Sequence, residues 1–187
     1  MKYSEACFDL RRASDILLQK KGLLCLKMVP LPGPAFNELD RDSEESRSNG
    51  SYAGDLIDHI IPYIETHYDV IKNKGARALA GLSMGGSLTL YITEKHPDMF
   101  GSIGVFSSGL RQGSDPADHL TPVKDGGYDL YFTCCGELES TGTQRLMEGL
   151  DHLGMEYTDL IVKGDLSAHN WHTWRPCLIE MVQLLFK

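Results

Sequence analysis

Apolar positions change their period several times along the chain, and those changes mark out its elements. Residues 4–20 place Ala6, Leu10, Ala13 and Leu17 on one helical face with charges between them. Gly22 ends that pattern, and Leu23 to Val29 (LLCLKMV) reads as a short buried strand. The run Pro30-Leu31-Pro32-Gly33-Pro34 forbids regular structure. Beyond it, 37–50 (NELDRDSEESRSNG) is a long polar surface loop, placed after a strand where a lid would sit. Leu56, Ile57, Ile60, Ile61 and Ile64 predict a helix over 55–68. Strands are expected at 77–82, 102–107, 128–134 and 157–162, with helices at 87–94, 144–153 and 174–186. Five short apolar strands, separated mostly by helices, predict a mostly parallel α/β sheet with helices on both faces. The length of 187 residues suits a single domain, 1–187, without internal repeats.

Composition narrows the partners. A formal net charge of −8 repels nucleic acid and anionic membranes, and no basic cluster offsets it, so neither partner is expected. No run reaches the ~18 apolar residues of a membrane helix. The start, MKYSEACFDLRRASD, lacks the apolar core of a secretion signal, which makes a cytoplasmic chain the expectation. The five cysteines, Cys7, Cys25, Cys134, Cys135 and Cys177, form no C-x-x-C pair and read as reduced core residues rather than zinc ligands or a disulfide framework.

The candidate chemistry begins at Gly81-Leu82-Ser83-Met84-Gly85, a G-x-S-x-G motif with an apolar strand before it and a helix after it. A serine on so tight a strand-to-helix turn is held in a strained backbone, and flanking glycines remove clashes with the turn. Its hydroxyl then projects at the carboxyl end of the sheet, where sites form in such folds. The backbone N–H of Met84 is the candidate oxyanion donor. The plainer alternative is a serine that caps a helix. A serine needs a base, and in hydrolases with this elbow the histidine follows the last strand. His169 and His172 lie there; His169 is nearer the strand and sits in a small-residue loop, whereas His172 enters the closing helix. The acid is expected after the strand at 128–134, where Glu137 and Glu139 both stand; Asp165, close to His169, is a third candidate.

These residues resemble the esterase family of α/β hydrolases that includes feruloyl esterases, tributyrin esterases, S-formylglutathione hydrolases and mycolyltransferases. The resemblance rests on RALAGLSMGG (77–86), on His96-Pro97-Asp98-Met99-Phe100 leading to Phe106-Ser107-Ser108-Gly109, on Cys135-Gly136 with an acid after it, and on His169-Asn170-Trp171 with Trp174. It implies an α/β-hydrolase-like fold and a serine esterase that works through an acyl-enzyme without metal or cofactor. The substrate it implies is a small-molecule ester of a short or aromatic acid, sugar-linked in some members; acyl transfer to an alcohol is the neighbouring activity. In the family the acid is an aspartate three residues after the glycine of a C-G-x-x-D pattern. That position is Glu139 here, 30 residues before His169, so the resemblance assigns Ser83, Glu139 and His169 as the triad.

Relatives in that family begin with further strands and a His-Gly loop that carries a second oxyanion donor. No His-Gly pair precedes Ser83 in this chain. The resemblance therefore implies an N-terminally truncated sheet, and with it a local rearrangement, a homo-oligomer that fills the gap, or a start placed too late. The contrasting expectation is an inactive hydrolase relative that serves as a binding or assembly module.

Overall fold

The structure, a computed structural model, describes residues 50–185. The helix expected at 4–20, the strand at 23–29 and nearly all of the loop at 37–50 lie outside the described residues. What is described falls into two compact units, 50–71 and 72–185.

The first unit is one helical run: α1 (Gly50–Gly54), a π-helical stretch (Asp55–Ile60) and α2 (Ile61–His67). The sequence predicts a plain α-helix over this region. Pro62, at the start of α2, has no N–H to give the carbonyl four residues back, and the widened turn lies directly before it.

The second unit is a four-stranded sheet with every strand parallel: β1 (Ala78–Leu82), β2 (Ser102–Phe106), β3 (Leu130–Gly136) and β4 (Thr158–Val162). Their order in space is their order in the chain. Each crossover carries a helix: α3 (Met84–Lys95), α4 (Pro116–Gly126) and α5 (Thr143–His152), with α6 (Trp171–Leu184) closing the chain. This is the mostly parallel α/β sheet that the periodicity predicts.

Alternation along the strands sorts the core into two layers. Ile103, Val105 and Tyr131 face one side, where Leu120 and Val123 of α4 and Leu146 and Leu150 of α5 cover them. Phe106, Phe132 and Cys134 face the other, against Cys177, Met181 and Val182 of α6. Leu120, Leu146 and Leu150 are fully buried, each stabilising the fold by about 1.5–3 kcal/mol. In the second layer Cys134 and Cys177 face each other, with Cα atoms 6.0 Å apart. No local pattern announces this juxtaposition, because the two residues are 43 apart and only the packing of α6 on β3 joins them.

The apolar pattern does not predict α4. Its start is nonetheless written in the sequence: the Asp115 carboxylate accepts from the Ala117 N–H, and Pro116 fills the first turn, where its missing N–H costs nothing. Pro122 inside the helix and the Gly126-Gly127 pair at its end disguise it. α6 begins three residues before its expected start, since the Asn170 side chain caps it through the His172 N–H.

At the amino ends of the strands a single lysine gathers three segments. Lys74 Nζ donates to the carbonyls of Pro97 at 2.7 Å, Gly126 at 2.8 Å and Gly127 at 2.5 Å. Two of those carbonyls end α4, where a cation complements the helix dipole. Lys74→Met is expected to lower the unfolding free energy by about 1–3 kcal/mol, measured by urea denaturation. An unchanged midpoint would mean that the three contacts contribute nothing.

Candidate active site

The carboxyl ends of the four strands each deliver one polar side chain to the same place. Ser83 follows β1, Ser107 follows β2, Glu139 lies beyond β3 and His169 beyond β4. Ser83 and Ser107 are the two non-glycine residues with positive φ among those described, at 55° and 47°. Strain of this kind costs of order 1–3 kcal/mol and persists where the surroundings fix it.

At the elbow the reason for glycine differs between the two flanking positions. A Cβ on Gly81 would run into the Gly85 carbonyl, so the turn closes only with glycine there. A Cβ on Gly85 meets nothing among the described residues. The steric demand read from the motif therefore falls on Gly81 and not on Gly85. The Ser83 N–H donates to the Phe106 carbonyl at 2.9 Å, which fastens the elbow to β2. Met84 opens α3, so its N–H belongs to the electropositive end of a 12-residue helix.

Three of the sequence-predicted residues form one hydrogen-bonded chain. His169 Nε2 is 2.8 Å from Ser83 Oγ, and His169 Nδ1 is 2.9 Å from Glu139 Oε2. The imidazole is 44% exposed and the carboxylate 1%. A buried carboxylate is tolerated only when its oxygens are satisfied. Glu139 Oε1 accepts from the Gly136 N–H at 2.9 Å and from the Ser107 hydroxyl at 2.8 Å, leaving Oε2 to the imidazole. With Nδ1 donating to the carboxylate, Nε2 is left as an acceptor facing the Ser83 hydroxyl.

The remaining candidates separate from this group. Glu137 and Asp165 are exposed, and His172 is exposed on α6. His119 is engaged by Glu94 at 2.7 Å, and His67 by the Tyr63 carbonyl at 2.8 Å. Cys135 lies in β3 close to the site, but burial pushes its thiol above the ordinary range and keeps it protonated. No group of three or more His, Cys, Asp or Glu side chains that could hold a metal occurs among the described residues. Nor is any helix among them long and apolar enough to cross a membrane.

Two residues of the site escape sequence reasoning as contributors. Ser107 lies in a segment quoted above only for its resemblance, and nothing in Phe-Ser-Ser-Gly marks which serine turns inward. The Trp174 indole donates to Ser107 Oγ at 2.8 Å and meets the His169 ring edge to face, with centroids 5.0 Å apart.

Comparison with known proteins bears on the family and the fold. Residues 32–124 match the family described as "Putative esterase". An endo-1,4-beta-xylanase/feruloyl esterase of Xylanibacter ruminicola is 38% identical over 134 residues, 71% of this chain and 17% of that protein. An uncharacterized protein of Bacillus subtilis is 29% identical over 107 residues, 57% of this chain and 43% of that one. The chain thus spans less than half the length of these two relatives. Among solved structures, a ferulic acid esterase of Anaeromyces mucronatus bound to ferulic acid superposes with a TM-score of 0.62 at 22% identity, over 72% of this chain and 54% of that one. An S-formylglutathione hydrolase of Staphylococcus aureus gives 0.52 at 18% identity, over 72% of this chain and 65% of that one. At such identities these likenesses establish the fold, which is that of the α/β hydrolases.

The elbow geometry carries its own test. Gly81→Ala is expected to destabilise the chain by more than about 2 kcal/mol, while Gly85→Ala stays within about 1 kcal/mol of the parent. Thermal melts of the two variants would rank them, and the reverse ranking would refute the steric account.

Proposed function

We propose that the chain is an esterase of the α/β-hydrolase fold that hydrolyses carboxylic esters through an acyl-enzyme on Ser83, a reading supported by the match of residues 32–124 to the esterase family. The observation that carries the proposal is the chain Ser83–His169–Glu139, seated on a strained elbow at the carboxyl ends of the strands.

In the proposed reaction Ser83 Oγ attacks the ester carbonyl carbon while its proton passes to His169 Nε2. The carbonyl oxygen becomes an oxyanion beside the Met84 N–H at the start of α3. Glu139 holds the imidazole in the accepting tautomer and stabilises the imidazolium. Collapse of the tetrahedral intermediate breaks the bond to the alcohol oxygen, and that oxygen takes the proton from His169. Water then repeats the sequence: its proton goes to His169, its oxygen attacks the acyl carbon, and Ser83 leaves reprotonated. No step calls for a metal or cofactor.

For the acyl group we propose a short or aromatic acid. Met84, Leu138, Leu166 and Trp171 are large apolar side chains left exposed, and all four lie within three residues of Ser83, Glu139 or His169. Apolar surface of that kind beside a reactive hydroxyl suits an apolar acyl group. Two of the relatives above bear feruloyl or ferulic acid esterase in their names, which supports the aromatic choice. We also propose self-association, read by sedimentation of the intact chain.

Turnover of p-nitrophenyl acetate and of methyl ferulate tests the proposal. Ser83→Ala is expected to lower kcat by more than about 10³-fold, and equal rates for variant and parent would refute it. Glu139→Gln is expected to cost about 10²–10⁴-fold in kcat, whereas Glu137→Gln, at an exposed position, leaves it unchanged; the opposite pattern would move the acid to Glu137.

A further inference from the structure

We propose that Trp174 and Ser107 are positioning residues that fix both the place of the Glu139 carboxylate and the direction in which every hydrogen bond of the site runs. The proposal rests on the esterase reading for its kinetic consequences, and on geometry alone for the hydrogen-bond order.

The supply of donors fixes the order of the hydrogen bonds. An indole N–H can only donate, so the 2.8 Å contact from Trp174 Nε1 makes Ser107 Oγ an acceptor at that point. A serine hydroxyl has a single proton, and the other partner of Ser107 Oγ is Glu139 Oε1 at 2.8 Å. Ser107 therefore donates to Glu139. The Gly136 N–H, also donor only, reaches the same oxygen at 2.9 Å. With both partners of Oε1 donating, that oxygen is held as an acceptor. Oε2 is left for His169 Nδ1–H, and the tautomer of the imidazole follows. The order starts at the indole and ends at Ser83.

Two further observations show that the arrangement is held in place. Ser107 keeps φ at 47°, a conformation an L-residue adopts only when its surroundings impose it, and its N–H is fixed to the Cys134 carbonyl at 2.6 Å. It is 2% exposed, so water does not replace either of its partners. The Trp174 ring also packs edge-on against His169, at 5.0 Å and 87°, so the residue that begins the order supports its far end as well. Glu139 has one methylene more than an aspartate would, hence one more rotatable bond to fix. Anchoring Oε1 at two donors removes that freedom.

Three variants separate packing from hydrogen bonding. Trp174→Phe keeps a ring against His169 and deletes the N–H. Ser107→Gly keeps the positive φ and deletes the hydroxyl. The double variant joins them. Circular dichroism and melting first select conditions in which each is folded. Kinetics with p-nitrophenyl acetate and the low-field proton resonance of His169 Nδ1–H are then recorded for all three and the parent. The expected result is a fall in kcat of about tenfold to a hundredfold for Ser107→Gly with KM unchanged, a smaller fall for Trp174→Phe, and a double variant no worse than Ser107→Gly. The Nδ1 proton signal is expected to broaden or move in both single variants. A folded Ser107→Gly protein with parental kcat and a parental Nδ1 signal would overturn the proposal, as would a fully additive double variant. If Ser83→Ala matched the parent, the esterase reading would fall, and the Nδ1 signal would still decide whether Ser107 and Trp174 order the imidazole.

Discussion

The site exists because one loop crosses back over the ends of the sheet. Ser83 leaves β1 and His169 follows β4, strands separated by three inter-strand spacings, about 14 Å at the usual 4.7–4.9 Å each. A hydrogen bond of 2.8 Å between them therefore requires residues 163–170 to run inward across β3 and β2 before α6 begins. The protein makes that path from backbone contacts. The Leu138 N–H donates to the Ser167 carbonyl at 3.0 Å, and a Cβ on Gly136 would occupy the place of that same carbonyl. Ser167 turns back on the Gly164 carbonyl at 2.6 Å, and Thr173 Oγ1 donates to the Ala168 carbonyl at 2.6 Å, tying the far side of the loop to α6.

That crossing determines how the buried charge is accommodated. Glu139 reaches the imidazole from beneath the loop and is almost wholly excluded from water. A carboxyl group buried there is accommodated because Gly136, Ser107 and His169 supply hydrogen-bond partners to its two oxygens. Each donor comes from a different strand end, so the parallel sheet itself arranges the charge. The same burial separates Glu139 from Glu137, two residues earlier, which points into solvent. The two ends of the sheet differ accordingly. Lys74 and its three carbonyls at the amino end are saturated and serve stability, while the carboxyl end holds the two strained serines and the exposed imidazole.

Much of the fold is legible before any coordinates. The strands expected at 77–82, 102–107 and 157–162 lie within one residue of β1, β2 and β4, because short apolar runs bounded by turn residues leave few alternatives. β3 is displaced by two residues toward Cys135 and Gly136, the second of which packs against the Ser167 turn rather than starting a loop. α4 escapes because prolines carry two meanings. Pro116 begins the helix and Pro122 interrupts its ladder, and only packing of Leu120 and Val123 on the sheet decides that the helix continues.

By itself, the sequence determined which side chains stand at the centre of the candidate site. G-x-S-x-G between a strand and a helix is a local steric statement, so Ser83 and the α3 terminus are readable within ten residues, and His169 follows from its place after the last strand. It also determined a parallel sheet, since alternating strands and helices allow little else. Residue types alone left Glu137, Glu139 and Asp165 open and the family pattern pointed to Glu139; the tertiary structure alone decided that Ser107 and Trp174 stand behind that carboxylate and that Cys134 faces Cys177. The physical reason is range. Steric limits on a turn act over a few residues, whereas hydrogen-bond partners 32, 67 and 86 residues apart are chosen by the positions of strands and helices that no local pattern encodes.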